Sequence, residues 1–139
     1  MLDYYIAGPM RGLPENNFPM FFDVEEKLSQ LGYTSLNPAR MDEEILGLTA
    51  RYALPTTAAL RDFMIRDLPA MLKECNNVVL LPGWQNSRGA CVEAYVGYMC
   101  GLGIDFWNSD INEPQMLPFE DFLPALTRML ILEMMREVF

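Results

Sequence analysis

Residues 77–83 read Asn-Val-Val-Leu-Leu-Pro-Gly. A Val and Leu run without polar alternation is the mark of a strand buried on both faces of a parallel sheet. Parallel neighbours need crossovers long enough to hold helices. This one segment therefore demands helices before and after it, and a sheet covered on both sides.

The flanking sequence meets that demand. Residues 3–9, Asp-Tyr-Tyr-Ile-Ala-Gly-Pro, predict a first strand stopped by a tight loop. Helical spacing follows over 17–31, with Phe18, Phe21, Phe22, Val24, Leu28 and Leu31 on one face and Gly32 closing it. Residues 33–39 read as a second strand ended by Pro38, and 41–56 as a short helix followed by a mobile loop. A helical stripe runs over 58–75 through Leu60, Phe63, Met64, Leu68, Met71, Leu72 and Cys75, where Pro69 is expected to kink or split the helix. Residues 89–103 predict another helix and 104–108 a further strand. A polar, proline-containing loop then leads to a last helix from about Pro124, with Leu126, Met129, Leu130 and Val138 inward. Strands alternating with helices over 139 residues, without repeats or linkers, imply one domain. The expected fold is α/β, doubly wound in the Rossmann or flavodoxin manner, with a mostly parallel sheet of four to five strands and helices on both faces.

Composition narrows the chemistry. There is no histidine, and the three cysteines are scattered without a CxxC pair, so neither a metal nor a cofactor site is expected. An odd cysteine count in apolar patterns suggests a reducing, cytoplasmic setting. No apolar run reaches membrane-spanning length, and the opening Met-Leu-Asp-Tyr-Tyr lacks the basic region of a signal peptide. A net charge of −9 argues against a nucleic-acid polymer as partner. A small anionic ligand is still compatible with a local site of arginines and backbone N–H groups. Leu132 and Met134, exposed on the last helix, suggest a homodimer or larger homo-oligomer.

In doubly wound sheets ligands bind beyond the carboxyl ends of the strands. Residues 7–12 (Ala-Gly-Pro-Met-Arg-Gly), 37–39 (Asn-Pro-Ala) and 82–89 (Pro-Gly-Trp-Gln-Asn-Ser-Arg-Gly) arrive there. Glu93 falls on the inner face of its helix with Ala90, Val96, Gly97 and Cys100. It reads equally as a carboxylate kept ionised by the positive helix end or as a solvated first-turn glutamate. Asp67 lies on an apolar stripe, where it needs a partner. Spacing slightly favours the alternative, a cap for a helix restarted by Pro69. Arg11 and Arg88 suit an anion or plain solvent, Ser87 a ligand or a helix cap, and Trp84 a stacked base or the core. Taken together, two carboxylates and two arginine-bearing loops without histidine are equipment for substitution at an acetal-like sugar carbon.

The segments Tyr-Ile-Ala-Gly-Pro-Met-Arg-Gly (5–12), Arg-Asp-Leu-Pro-Ala-Met-Leu (66–72) and the stretch 76–97 resemble the nucleoside 2-deoxyribosyltransferase superfamily. The likeness covers about residues 3–107 and is nearest the short, often phage-borne or prophage-borne branch. That superfamily includes 2′-deoxynucleoside 5′-monophosphate N-glycosidases. The resemblance implies that Glu93 attacks C1′ of the deoxyribose to form a glycosyl-enzyme ester. It implies that Asp67 helps to protonate the leaving base and that Tyr5 lines the sugar and base pocket. Gly8, Pro9, Arg11, Gly12 and the 82–89 loop with Gly89 would wrap the ligand, and a neighbouring subunit's C-terminal part would complete the pocket. A serine at Ser87, with Arg11 and Arg88, implies a 5′-phosphate and hence hydrolysis of a nucleotide. Base exchange between nucleosides and a non-catalytic nucleotide-binding module are the alternatives, with NAD cleavage a remote fourth.

Overall fold

The structure, a computed structural model, describes residues 1–52 and 57–138. In chain order the elements are β1 (Leu2–Ala7), α1 (Phe18–Gln30), β2 (Ser35–Leu36), α2 (Pro38–Leu46), α3 (Thr57–Glu74), β3 (Cys75–Leu80), α4 (Arg88–Met99), β4 (Gly103–Asn108), β5 (Glu113–Met116) and α5 (Phe119–Val138). Short 3-10 turns occupy Pro14–Asn17, Gly47–Tyr52 and Trp84–Asn86. The five strands form one sheet in the order β2-β1-β3-β4-β5. The first three pairings are parallel and β4 pairs β5 antiparallel. Helices lie on both faces of this single domain.

The Val-Leu run is the middle strand, and its alternation serves two cores. Val78 and Leu80 join Tyr5 and Ala7 on the face covered by Met71 of α3, Ala94 of α4, and Phe122 and Met129 of α5. Val79 and Leu81 join Tyr4 and Ile6 on the face covered by Phe18, Phe21, Val24 and Leu28 of α1. Val78, Val79, Leu80 and Leu81 are each 0% exposed. A strand that buries both faces has no use for a polar residue at either parity, so the unbroken apolar sequence follows from the topology.

Several local expectations give way to tertiary packing. α3 runs as one helix through Pro69 rather than splitting there. Burial of Met71 against the sheet offsets the hydrogen bond that proline removes, while Cys75, expected on the helix stripe, opens β3 instead. The second strand shrinks to two residues, and Asn37 caps α2 by accepting from the Ala39 N–H at 2.9 Å. The segment after β4 contains β5, whose Pro114 sits on an edge strand where no further neighbour needs its N–H. α5 begins at Phe119, five residues before Pro124. Leu130 is 66% exposed and Cys100 is exposed, so neither is inward as periodicity suggested. Leu132 and Met134 are exposed, at 39% and 66%. The loop expected after α2 is in part the 3-10 turn Gly47–Tyr52, and its remainder at 53–56 lies outside the described residues. Among the described residues no helix is long and apolar enough to cross a membrane.

The strand order positions the site. β1 sends its chain on to β2 at one side and β3 sends its chain on to β4 at the other, so the loops after β1 and β3 part and leave a crevice. Gly8 closes the bottom of that crevice. A β-carbon placed there would stand 2.7 Å from Leu81 Cβ and 3.0 Å from its Cγ. The two strand ends can approach this closely only without a side chain at position 8. We expect Gly8→Ala to cost about 1–3 kcal/mol through overpacking. Urea unfolding should show a lower midpoint with the slope unchanged, and an unshifted midpoint would contradict the close approach.

Candidate active site

At the floor of the crevice four elements converge. Tyr5 of β1 is fully buried and donates its phenolic O–H to Glu93 Oε2 of α4. Glu93, Asp67 of α3 and Asp42 of α2 are buried, at 5%, 5% and 6% exposure. Arg66 of α3 binds two of them: its Nε donates to Asp67 Oδ1 and its Nη1 to Asp42 Oδ1, both at 2.6 Å. The same guanidinium lies over the Phe63 ring, 5.3 Å from its centroid. These side chains open onto a cavity of about 580 Å3.

The floor is crowded with acid and short of base. Burial pushes the Glu93 carboxyl up to about 8; the Tyr5 hydrogen bond and the Arg66 charge pull it down, while the Asp67 charge adds to the rise. Burial also raises Asp67 and Asp42, and Arg66 offsets that only in part. Burial, with the neighbouring Glu93 and Asp67 charges, holds the Tyr5 phenol well above its ordinary value, so it remains a hydrogen-bond donor. Glu93 is the sixth residue of α4, beyond the first turn over which a helix terminus acts. Desolvation therefore decides its proton affinity, not the helix dipole. Glu93 accepts from Tyr5 on one oxygen and has the Asp67 charge nearby, and burial raises the proton affinity of both carboxyls.

The structure brings most of the expected residues together. Tyr5, Gly8, Pro9, Arg11, Asp67, Ser87, Arg88, Gly89 and Glu93 all line the cavity. Asp67 is no N-cap, because its helix continues unbroken and its carboxylate is held by Arg66. Ser87 is a cap as well as a lining residue, accepting from the Ala90 N–H at 3.2 Å. Two expected residues are elsewhere. Trp84 is 3% exposed and packs on Phe122 with centroids 6.4 Å apart, so it belongs to the core and has no face for a base. Gly12 is not among the lining residues and takes a left-handed φ of 78° in its turn.

Sequence reasoning passed over Asp42, Arg66 and α5. Asp42 shares the buried face of α2 with Pro38 and Ala39, the same anomaly that singled out Glu93, in a stretch whose weak pattern hid it. Arg66 sits beside Asp67, and nothing in its local spacing ties it to Asp42. Met129, Leu132, Glu133 and Arg136 of α5 complete the cavity wall from within the same chain. Among the described residues no group of His, Cys, Asp and Glu is arranged to hold a metal ion.

The raised Glu93 carboxyl has a stability consequence. Its folded value near 8 exceeds the ordinary 4.5, so between those limits the folded state holds the extra proton. Stability therefore falls as pH rises from 4.5 toward 8 and this contribution levels off above. Glu93→Gln removes the titration. We expect its melting temperature to match wild type near pH 4.5 and to exceed it at pH 8, by roughly 5 °C or more. Thermal unfolding followed by circular dichroism across this range checks it; parallel pH profiles for the two proteins would refute the burial argument.

Comparison with known proteins places the chain without naming a reaction. No curated protein and no solved structure gives a significant match. One family model, described as a domain of unknown function, DUF4406, matches residues 2–106, which include β1 through most of β4 and every floor residue. The chain thus belongs to the DUF4406 family.

Proposed function

We propose that this protein cleaves the N-glycosidic bond of a deoxynucleoside 5′-monophosphate, with water as the acceptor, releasing free base and deoxyribose 5-phosphate. The observation that carries the reading is the buried Glu93–Tyr5 hydrogen bond beside Asp67, at the floor of a cavity whose mouth bears Arg11, Ser87 and Arg88. The acidic floor suits the electron-poor sugar carbon that develops as the bond breaks, and the basic mouth suits a phosphate.

In the first step Glu93 Oε forms a bond to C1′ as the C1′–N bond breaks. The bonding pair leaves with the base nitrogen, which takes the proton of Asp67. In the second step a water oxygen bonds to C1′, its proton passes to the Asp67 carboxylate, and Glu93 departs as a carboxylate. The active state thus has one proton between the two carboxyls, resting on Asp67 when a base must be protonated. Tyr5, kept neutral by its surroundings, fixes the orientation of the Glu93 carboxylate through its donated hydrogen bond. Arg66 holds Asp67 in place and prevents Asp42 and Asp67 from both demanding protons.

Free base released from each of the common deoxynucleoside monophosphates, separated by chromatography, tests the reading. We expect release from monophosphates and none from Glu93→Gln, which should still bind them; turnover by that variant equal to wild type would overturn the assignment. Supplying a second base separates water from base as the acceptor. Ser87→Ala and Arg11→Gln should weaken monophosphates more than nucleosides, and identical losses for both would remove the phosphate from the reading.

A further inference from the structure

Beyond the floor, the cavity has a second charged cluster on a different element. Glu133 of α5 lies between two arginines, with its Oε2 3.6 Å from Arg88 Nη1 and its Oε1 3.3 Å from Arg136 Nη1. All three line the cavity. Their helix face is set by spacing: Met129, Leu132, Glu133 and Arg136 fall at i, i+3, i+4 and i+7, one stripe of α5. Met129 anchors that stripe in the core, Phe122 one turn and more upstream packs on Trp84 and Tyr98, and Arg128 donates to Asn86 Oδ1 at 3.0 Å. α5 is thus docked at its first half, and the docking aims Glu133 and Arg136 at the mouth.

A carboxylate held between two guanidinium groups marks a place where an anion fits. Arg88 and Arg136 are 53% and 74% exposed at the side chain, and neither contact to Glu133 is short. Exposed pairs of this kind contribute little to stability and are easily exchanged. A phosphate monoester offers more acceptor oxygens and up to two charges, and guanidinium groups bind it in two-pronged fashion. We propose that Glu133 occupies the phosphate position in the empty protein, and that a phosphate monoester displaces it to bind Arg88 and Arg136. An uncharged nucleoside cannot displace Glu133, so α5 selects for the charged ligand. This inference rests on the nucleotide reading of the cavity and adds residues from the chain's own C-terminal helix, beyond the family-matched segment 2–106.

Calorimetric titration of the full chain tests it, in a Glu93→Gln background that prevents turnover, with the common deoxynucleoside monophosphates and their nucleosides. Arg136→Gln should weaken the monophosphates about tenfold, and Glu133→Gln should tighten them several-fold by removing the competing charge. Nucleoside affinity should change in neither. Glu133→Asp, which keeps the charge, should bind as wild type. The inference is overturned if monophosphate affinity is indifferent to both Glu133→Gln and Arg136→Gln, if nucleosides shift equally, or if monophosphates bind no better than nucleosides. A turnover assay on the Glu93 protein separates the two readings. Base release indifferent to Glu133 and Arg136 leaves the glycosidase and removes the α5 role. Arginine-dependent binding without base release leaves the α5 role and removes the glycosidase.

Discussion

Three carboxyl groups share a buried floor with the Arg66 guanidinium, and the rest of the site is arranged around that imbalance. Asp42, Asp67 and Glu93 are almost fully buried, and Arg66 touches only the first two. Burying unpaired anions is costly, so protons must be retained somewhere in the cluster. Burial raises the Glu93 carboxyl, which accepts a hydrogen bond from the neutral Tyr5, to about 8. A fold that tolerates such a cluster has given up stability for a local reservoir of acidity, which is a common condition of catalytic centres.

Much of this was legible in the sequence, for reasons that differ residue by residue. The Val78–Leu81 run announced a two-faced strand because it is short, starts with two β-branched residues and is stopped by Pro82-Gly83. Glu93 announced itself because a carboxylate among Ala90, Gly97 and their neighbours violates the helix pattern. Pro69 misled, since local rules put a break there and the packing of α3 on the sheet overrode them. Trp84 misled for a related reason. Its position in the loop after β3 suggested a ligand, whereas α5 folds back and encloses it. Contacts that join distant segments, such as Arg66 to Asp42 across 24 positions, leave no periodic trace.

α5 changes how the domain is divided. β1 to β3, most of β4, α1 to α4 and the acidic floor lie within the segment that the family model spans, while β5 and the last helix lie past it. The acidic floor and the α5 part of the cavity wall are therefore separate in the chain. α5 is joined to the rest of the domain by the packing of Phe122 and Met129 and by the side-chain contacts of Arg128 and Glu133.

Trp84 acquires an optical meaning from that packing. Its indole is shielded largely where α5 folds against it, and Phe122 lies at its side. The other tryptophan, Trp107, is buried on the opposite face of the sheet, remote from α5. Any departure of the last helix would wet one indole and leave the other dry. Trp84 fluorescence thus reports on the docking of the last helix, with Trp107 as an internal reference behind the sheet.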